Sequence, residues 1–187
     1  MISRKISTAL FAVAIATAGF SGAAYAKDPM VGGAPMYASK NIIQNAVNSK
    51  DHTTLVAAVK AAGLVDTLEG SGPFTVFAPT NEAFAKLPKG TVQTLLKPEN
   101  KAKLTKILTC HVVAADDTSK VIKKMTEKHG GAYKVKTVGG CMLTLRDHHG
   151  KITVTDENGH TAHVTIPNVI QSNGVIHVVD RVLLPKM

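Results

Sequence analysis

The stretch Gly72-Pro73-Phe74-Thr75-Val76-Phe77-Ala78-Pro79-Thr80-Asn81-Glu82-Ala83-Phe84 constrains the fold more than any other. It reads as a buried strand that stops at a proline and turns directly into a capped helix. Thr75, Val76 and Phe77 are strand formers. Alternation puts Phe74 and Val76 on one face and Thr75 and Phe77 on the other. Pro79 has no N–H to donate, so pairing is expected to end there. Thr80 or Asn81 then caps a helix, with Glu82 in a first turn where a carboxylate suits the helix dipole. Phe84 and Leu87 share one helix face, and Pro88 ends the helix. Taken alone, a unit like this is core scaffold rather than a site.

The chain before it is helical in pattern. Ile42, Ile43, Ala46 and Val47 recur at helix spacing. Thr53 caps a second helix that turns Leu55, Ala58, Val59 and Ala62 inward, with Gly63 as its C-cap. After Pro88, Thr91 caps a short helix and Pro98 opens another. That helix places Leu104, Ile107 and Leu108 inward and Lys101, Lys103 and Lys106 outward. Thr109 to Val113 reads as a strand, and Asp116 to Thr118 as caps for a helix carrying Val121, Ile122 and Met125. From Tyr133 the period switches to two. Tyr133–Val138, Cys141–Arg146, Lys151–Thr155 and His160–Ile166 are expected strands, broken by Gly139-Gly140, the Asp147–Gly150 stretch and Asn158-Gly159. Val169–Gln171 is expected to pair with a last strand, Val175–Leu184, around Asn173-Gly174. Helices in the first half and hairpins in the second define an α+β arrangement.

The N-terminus reads as a signal peptide over residues 1–26. Arg4 and Lys5 precede an apolar run, and Ala24-Tyr25-Ala26 is a small-x-small cleavage site, with cleavage expected after Ala26. The expected location is therefore periplasmic or extracellular. Residues 27–38, rich in glycine and proline, are expected to be a flexible segment. Without Arg4 and Lys5, 20 basic residues face 13 acidic ones, and the net charge falls from +9 to +7. Nearly all the basic residues are lysines, with no aromatic platform, so a nucleic-acid partner is not expected. The lysine excess is suited to weak contact with an anionic membrane surface or envelope polymer. In an exported chain Cys110 and Cys141 form a disulfide by default. That bridge closes a loop of about 30 residues and adds roughly 3–4 kcal/mol. Two buried thiols are the alternative, and the choice depends on whether the Cα atoms approach each other closely enough.

The first stretch and Ser172-Asn173-Gly174-Val175-Ile176-His177-Val178-Val179-Asp180 together resemble the two signature segments of the fasciclin (FAS1) domain family. The resemblance runs from about Asn41 to Pro185. It rests on Phe74, Thr75, Val76, Phe77, Ala78, Pro79, Thr80, Ala83 and Phe84, and on His111, Asn173, Gly174, Ile176, His177 and Asp180. It implies a fasciclin-like twisted β-sandwich with helices packed along one edge, spanning residues 39–187. It also implies a non-catalytic interaction or adhesion module, without a cofactor, that binds proteins or envelope, matrix or cell-surface polymers. The alternative it carries is a periplasmic carrier of a small apolar ligand, a lipid or pigment, in a cleft lined by Phe74, Phe77, Phe84, Leu87 and Met125. Two positions depart from the family pattern. Cys110 stands where a Tyr-His pair has its tyrosine, and Asn168-Val169 stands where animal members carry Asp-Ile. Integrin recognition is therefore not expected.

Other groupings are weaker. Cys110 and His111 are neighbours on an expected strand and so face opposite ways. His160 and His163, and likewise His177 and Asp180, are separated by odd intervals with the same consequence. Ser172, His177 and Asp180 lack a nucleophile-elbow context. Asp147, His148 and His149 read as a hydrated turn rather than a metal site. Candidate contact regions are Lys86–Gly90 and the loop Ser172–Gly174.

Overall fold

A computed structural model of the chain describes residues 28–186. The expected signal peptide and its cleavage site at Ala26 lie outside the described residues. The segment expected to be flexible carries a small hairpin, β1 (Met30–Val31) and β2 (Ala34–Pro35), turning at Gly32-Gly33. Val31 and Met36 are buried in the main core. The burial of these two side chains outweighs the glycine and proline content, so this segment belongs to the packed domain.

The helices follow largely as the apolar spacing predicts. α1 (Ile42–Ala46) starts in a capping box of Asn41 and Gln44. α2 (Thr53–Ala62) buries Leu55, Ala58, Val59 and Ala62 and ends at left-handed Gly63. Its N-cap is His52, however, and the Thr53 hydroxyl donates to Asn81 Oδ1 instead. α3 (Val65–Glu69) leads into β3 (Phe74–Pro79). Thr80 caps α4 (Asn81–Ala85) by accepting from the Ala83 N–H at 3.2 Å. α5 (Thr91–Leu95) is preceded by Gly90 rather than capped by Thr91. α6 (Lys101–Thr109) buries Leu104, Ile107 and Leu108. The expected strand 109–113 is mostly absent. The helix continues through Thr109, Cys110 is its C-cap, and only β4 (Val112–Val113) is extended. A continuous apolar run carries no period that would mark where helix yields to strand. α7 (Ser119–Lys128) is capped by Thr118.

Four strands then follow in hairpins: β5 (Tyr133–Lys136), β6 (Met142–His148), β7 (Lys151–Thr155) and β8 (Thr161–Gln171), with β9 (Gly174–Val179) last. The sheet order is β4-β3-β9-β8-β7-β6-β5, with β3 and β9 parallel and the other pairs antiparallel. Pairing ends at Pro79, which sits opposite Val179, as the missing N–H leads one to expect. The Phe77 N–H points toward His111, so by alternation the missing Pro79 N–H falls on that side, away from β9. β4 pairs only Thr75 and Val76, so the proline removes no ladder bond.

β8 makes this sheet a sandwich. Its first residues pair with β7, its later ones with β9, and the β9 register shifts twice between Val164 and Val169. Such irregularities bend a strand so that it turns from one layer to the other. Phe77, Val113 and Val179 on one half then face Val135, Leu143, Leu145, Ile152 and Val154 on the other, with Ile122 of α7 among them. The other side of β3 and β9, including Val76, Ala78, Ile176 and Val178, packs under the helices. The expected alternation of Val76 against Phe77 is thus the division between two cores. The fold is the α+β twisted sandwich with helices along one side.

Candidate interaction surface

The two signature segments lie side by side as β3 and β9, in register from Phe74 opposite Gly174 to Pro79 opposite Val179. Asn173 ties this seam to the helices. Its Oδ1 accepts from the Ile42 N–H at 3.1 Å, and its Nδ2 donates to the carbonyls of Leu68 and Gly70, both at 2.8 Å. Gly174 follows because the Phe74 carbonyl oxygen would lie 1.9 Å from any Cβ there. The Thr75 hydroxyl donates to the Ala115 carbonyl and accepts from the Asp117 N–H. At the far end, Lys86 Nζ donates to the Asp180 carbonyl at 2.6 Å. Phe74 and Phe84 pack into the helical core, and Phe77 is fully enclosed in the sandwich.

The buried histidines are structural by geometry. His111 Nδ1 lies 2.9 Å from the Ile107 carbonyl, while Nε2 accepts from the Leu183 N–H at 2.9 Å. The ring is therefore neutral with its proton on Nδ1. Burial pulls its pKa down to about 4, opposed by the Ile107 bond and the charge of Asp156. His177 is stacked on Phe77, accepts from the Asn168 N–H at Nδ1 and reaches the Asp117 carbonyl at Nε2. Burial lowers its pKa too. His52 shares a hydrogen bond with Ser49, and burial lowers its pKa in the same way.

Sequence reasoning read Asp117 only as one of three possible caps for α7, a role Thr118 takes, and did not single out Asn45, Gln171 or Asp156. Asp117 is buried next to the signature, and its Oδ2 has no hydrogen-bond partner among the described residues. Burial, then the neighbouring Asp116, raises its pKa. Asn45 and Gln171 bond each other across α1 and β8. Asp156 accepts from Asn158, His160 and Leu184. Of the three not singled out, Asp156 had a readable signal, the Asp-Glu-Asn-Gly turn sequence.

The groupings weighed for chemistry do not converge. Ser172 is exposed in a turn, His177 is inside the sandwich, and the Asp180 carboxylate accepts from the His163 N–H. Cys110 and Cys141 are joined in a disulfide with Cα atoms 5.4 Å apart. Cys110 and His111 lie on the turn after α6, not on a strand as expected. Asp147 Oδ1 accepts from the Gly150 N–H at the β6–β7 turn. Asn168, at the family's Asp position, has a left-handed φ of 57° and bonds both Ser119 N–H and Ser119 Oγ. The five residues expected to line an apolar cleft do not meet in one. Phe74, Phe84 and Leu87 belong to the helical core and Phe77 to the sandwich core. An apolar cavity under α1–α3 measures about 50 Å³ and includes Leu55, Val59, Leu68 and Val178. Typical small-molecule sites hold roughly 300–1,000 Å³. Of the two candidate contact regions, Ser172–Gly174 is largely unavailable, because Asn173 is buried and Gly174 abuts Phe74. In Lys86–Gly90, Lys86 is tethered to Asp180, and Pro88, Lys89 and Gly90 are exposed.

With this geometry in place, comparison with known proteins defines the class. The fasciclin domain model matches residues 50–185. A pair of FAS1 domains from the insect cell adhesion molecule Fasciclin I superposes with a TM-score of 0.69 at 21% identity. That match covers 78% of this chain and 51% of the other, so the chain spans about half of it. The chain belongs to the fasciclin family. It is 46% identical over 161 residues to protein sll1483 of Synechocystis sp., covering 86% of this chain and 82% of the relative. It is 32% identical over 211 residues to immunogenic protein MPB70 of Mycobacterium bovis, covering 97% and 98%. Transforming growth factor-beta-induced protein ig-h3 of Sus scrofa is 37% identical over 131 residues, covering 70% of this chain but 17% of the relative.

Proposed function

We propose that this chain is an exported, non-catalytic interaction module that binds proteins or polymers of the envelope, matrix or cell surface. The observation that carries the reading is that its signature residues are engaged inside the fold. Asn173, Thr75, His111 and His177 all bond to backbone groups. They hold β3, β9 and the helices together, which leaves the outer surface as the place where such a domain acts. The solved relative described as a cell adhesion molecule supports the same reading. The disulfide supports export, because such bonds persist in oxidising compartments.

The test is a pull-down of envelope extract on the immobilised, oxidised chain 27–187. Washes at about 0.15 M and then about 1 M salt shorten the screening length from roughly 8 to 3 Å. A discrete partner retained in both washes is the expected result. An empty eluate in both would overturn the reading.

A further inference from the structure

We infer that the outer face of β5–β8 is a docking surface for an acidic polysaccharide. The inference deepens the interaction-module reading and rests on it. Register lines up Lys134, Thr144, Thr155 and Thr161 on four adjacent strands. With strands ~4.8 Å apart, that row crosses ~14 Å of sheet. Arg146, Thr153 and His163 form the next row, and His148 pairs with Lys151 beyond it. Alternation turns all of these side chains away from the sandwich core, and each is half-buried or exposed. Helices α1–α6 share the other core with β3 and β9, and α7 packs on β5 and β6 from the inner side, with Ile122 in the sandwich core.

Exposed sheet faces normally mix charges across strands. This one does not. The only carboxylate within β5–β8 is Asp147, which is on the inward parity and bonds the β6–β7 turn. Other acids stand at the margins. Asp180 is paired with His163 and Lys86, Glu157 accepts from the Met142 and Lys186 N–H groups, and Glu127 lines the same depression as His148. Lys134, Lys136, Arg146 and Lys151 make no ion pair among the described residues. Lysines on the edge strand β5 also discourage strand addition. That explanation does not reach Arg146 and Lys151, which lie on inner strands.

The chemistry selects one class of partner. Lysine and arginine donate to carboxylate or sulfate, and threonine hydroxyls both donate to and accept from sugar hydroxyls. Within β5–β8 the exposed large apolar side chains are Met142 and, beyond the bend in β8, Ile170, so there is little to insert into a bilayer. This face also offers no aromatic platform for stacked bases.

The probes are heparin and polygalacturonate, applied to the exported chain at about 0.15 M salt. The triple variant Lys134→Glu/Arg146→Glu/Lys151→Glu is compared with Lys60→Glu/Lys101→Glu/Lys103→Glu, an equal charge change on the exposed faces of α2 and α6. All six side chains point outward, and circular dichroism establishes that each variant is folded. The neutral set Lys134→Gln/Arg146→Gln/Lys151→Gln replaces the first if it is not. The expected result is about ten-fold weaker binding for the sheet-face variant and little change for the control. Equal losses in both would mean that net charge alone binds. Retention by phosphatidylglycerol vesicles without polysaccharide binding would mean a lipid surface. Either result overturns the inference, as does wild-type protein that ignores both polysaccharides. If the sheet-face variant still captures its envelope partner, the docking surface is wrong while the module reading stands. If wild type captures nothing, that reading fails on its own.

Discussion

Asn173 shows what a signature residue does in this fold. One side chain serves the first turn of α1, the end of α3 and the loop before β3. Asn173→Ala removes three bonds at once and leaves buried backbone groups unpaired. The expected cost is about 3 kcal/mol, read from urea unfolding at constant m-value. His111 sets a pH dependence. Its folded pKa, about 4, lies below the unfolded value of about 6.5. The unfolded chain therefore takes up the proton first. Stability is full above about pH 6.5 and falls as pH drops toward 4, by on the order of 3 kcal/mol from this ring. His177 acts in the same direction. Asp117 acts oppositely, because its raised pKa lets the folded state bind a proton earlier and acid relieves its penalty. In His111→Gln, whose amide can reproduce a donor and an acceptor, the acid-side fall in stability should be shallower. An unchanged slope between pH 6.5 and 4 would remove His111 from the account.

Among the elements, the link from α6 to the β5–β6 turn is covalent. The Cys110–Cys141 bridge spans 31 residues. It encloses β4, α7 and the edge strand β5. Cys110→Ala/Cys141→Ala should lose about 3 kcal/mol against guanidinium, and reducing the wild type should give the same shift. β3, like β9, has a core on each side. Phe77→Ala, at a fully enclosed position, is expected to cost about 4 kcal/mol in the same assay. A loss below about 1 kcal/mol would mean that the sandwich interior can collapse around the gap.

For the molecule as a whole, the helices and hairpins were legible because their apolar spacing is regular. Leu55, Ala58, Val59 and Ala62 fall on one helix face, and Ile152 and Val154 alternate on one strand. The misreadings share a cause. Nothing local at Val31 or Met36 shows that another element waits to bury them, and nothing at Thr109 marks a helix rather than a strand. The candidate surface was less legible still. Lys134, Thr144, Thr155 and Thr161 are scattered in sequence, and only strand register makes them a row.

The sequence by itself determined the alternation of β3, the capped turn into α4, the amphipathic helices and the hairpin chemistry of the second half. Each of these follows from backbone preference and local side-chain period. Tertiary structure alone decided that β3 and β9 run parallel as neighbours. It also decided that β8 bends from one layer to the other and that Asn173 reaches three separate segments. It left the outer face of β5–β8 uncovered, with α7 packed on the inner side of β5 and β6. Those features depend on contacts between residues far apart in the chain, and no local pattern records which distant surface will arrive.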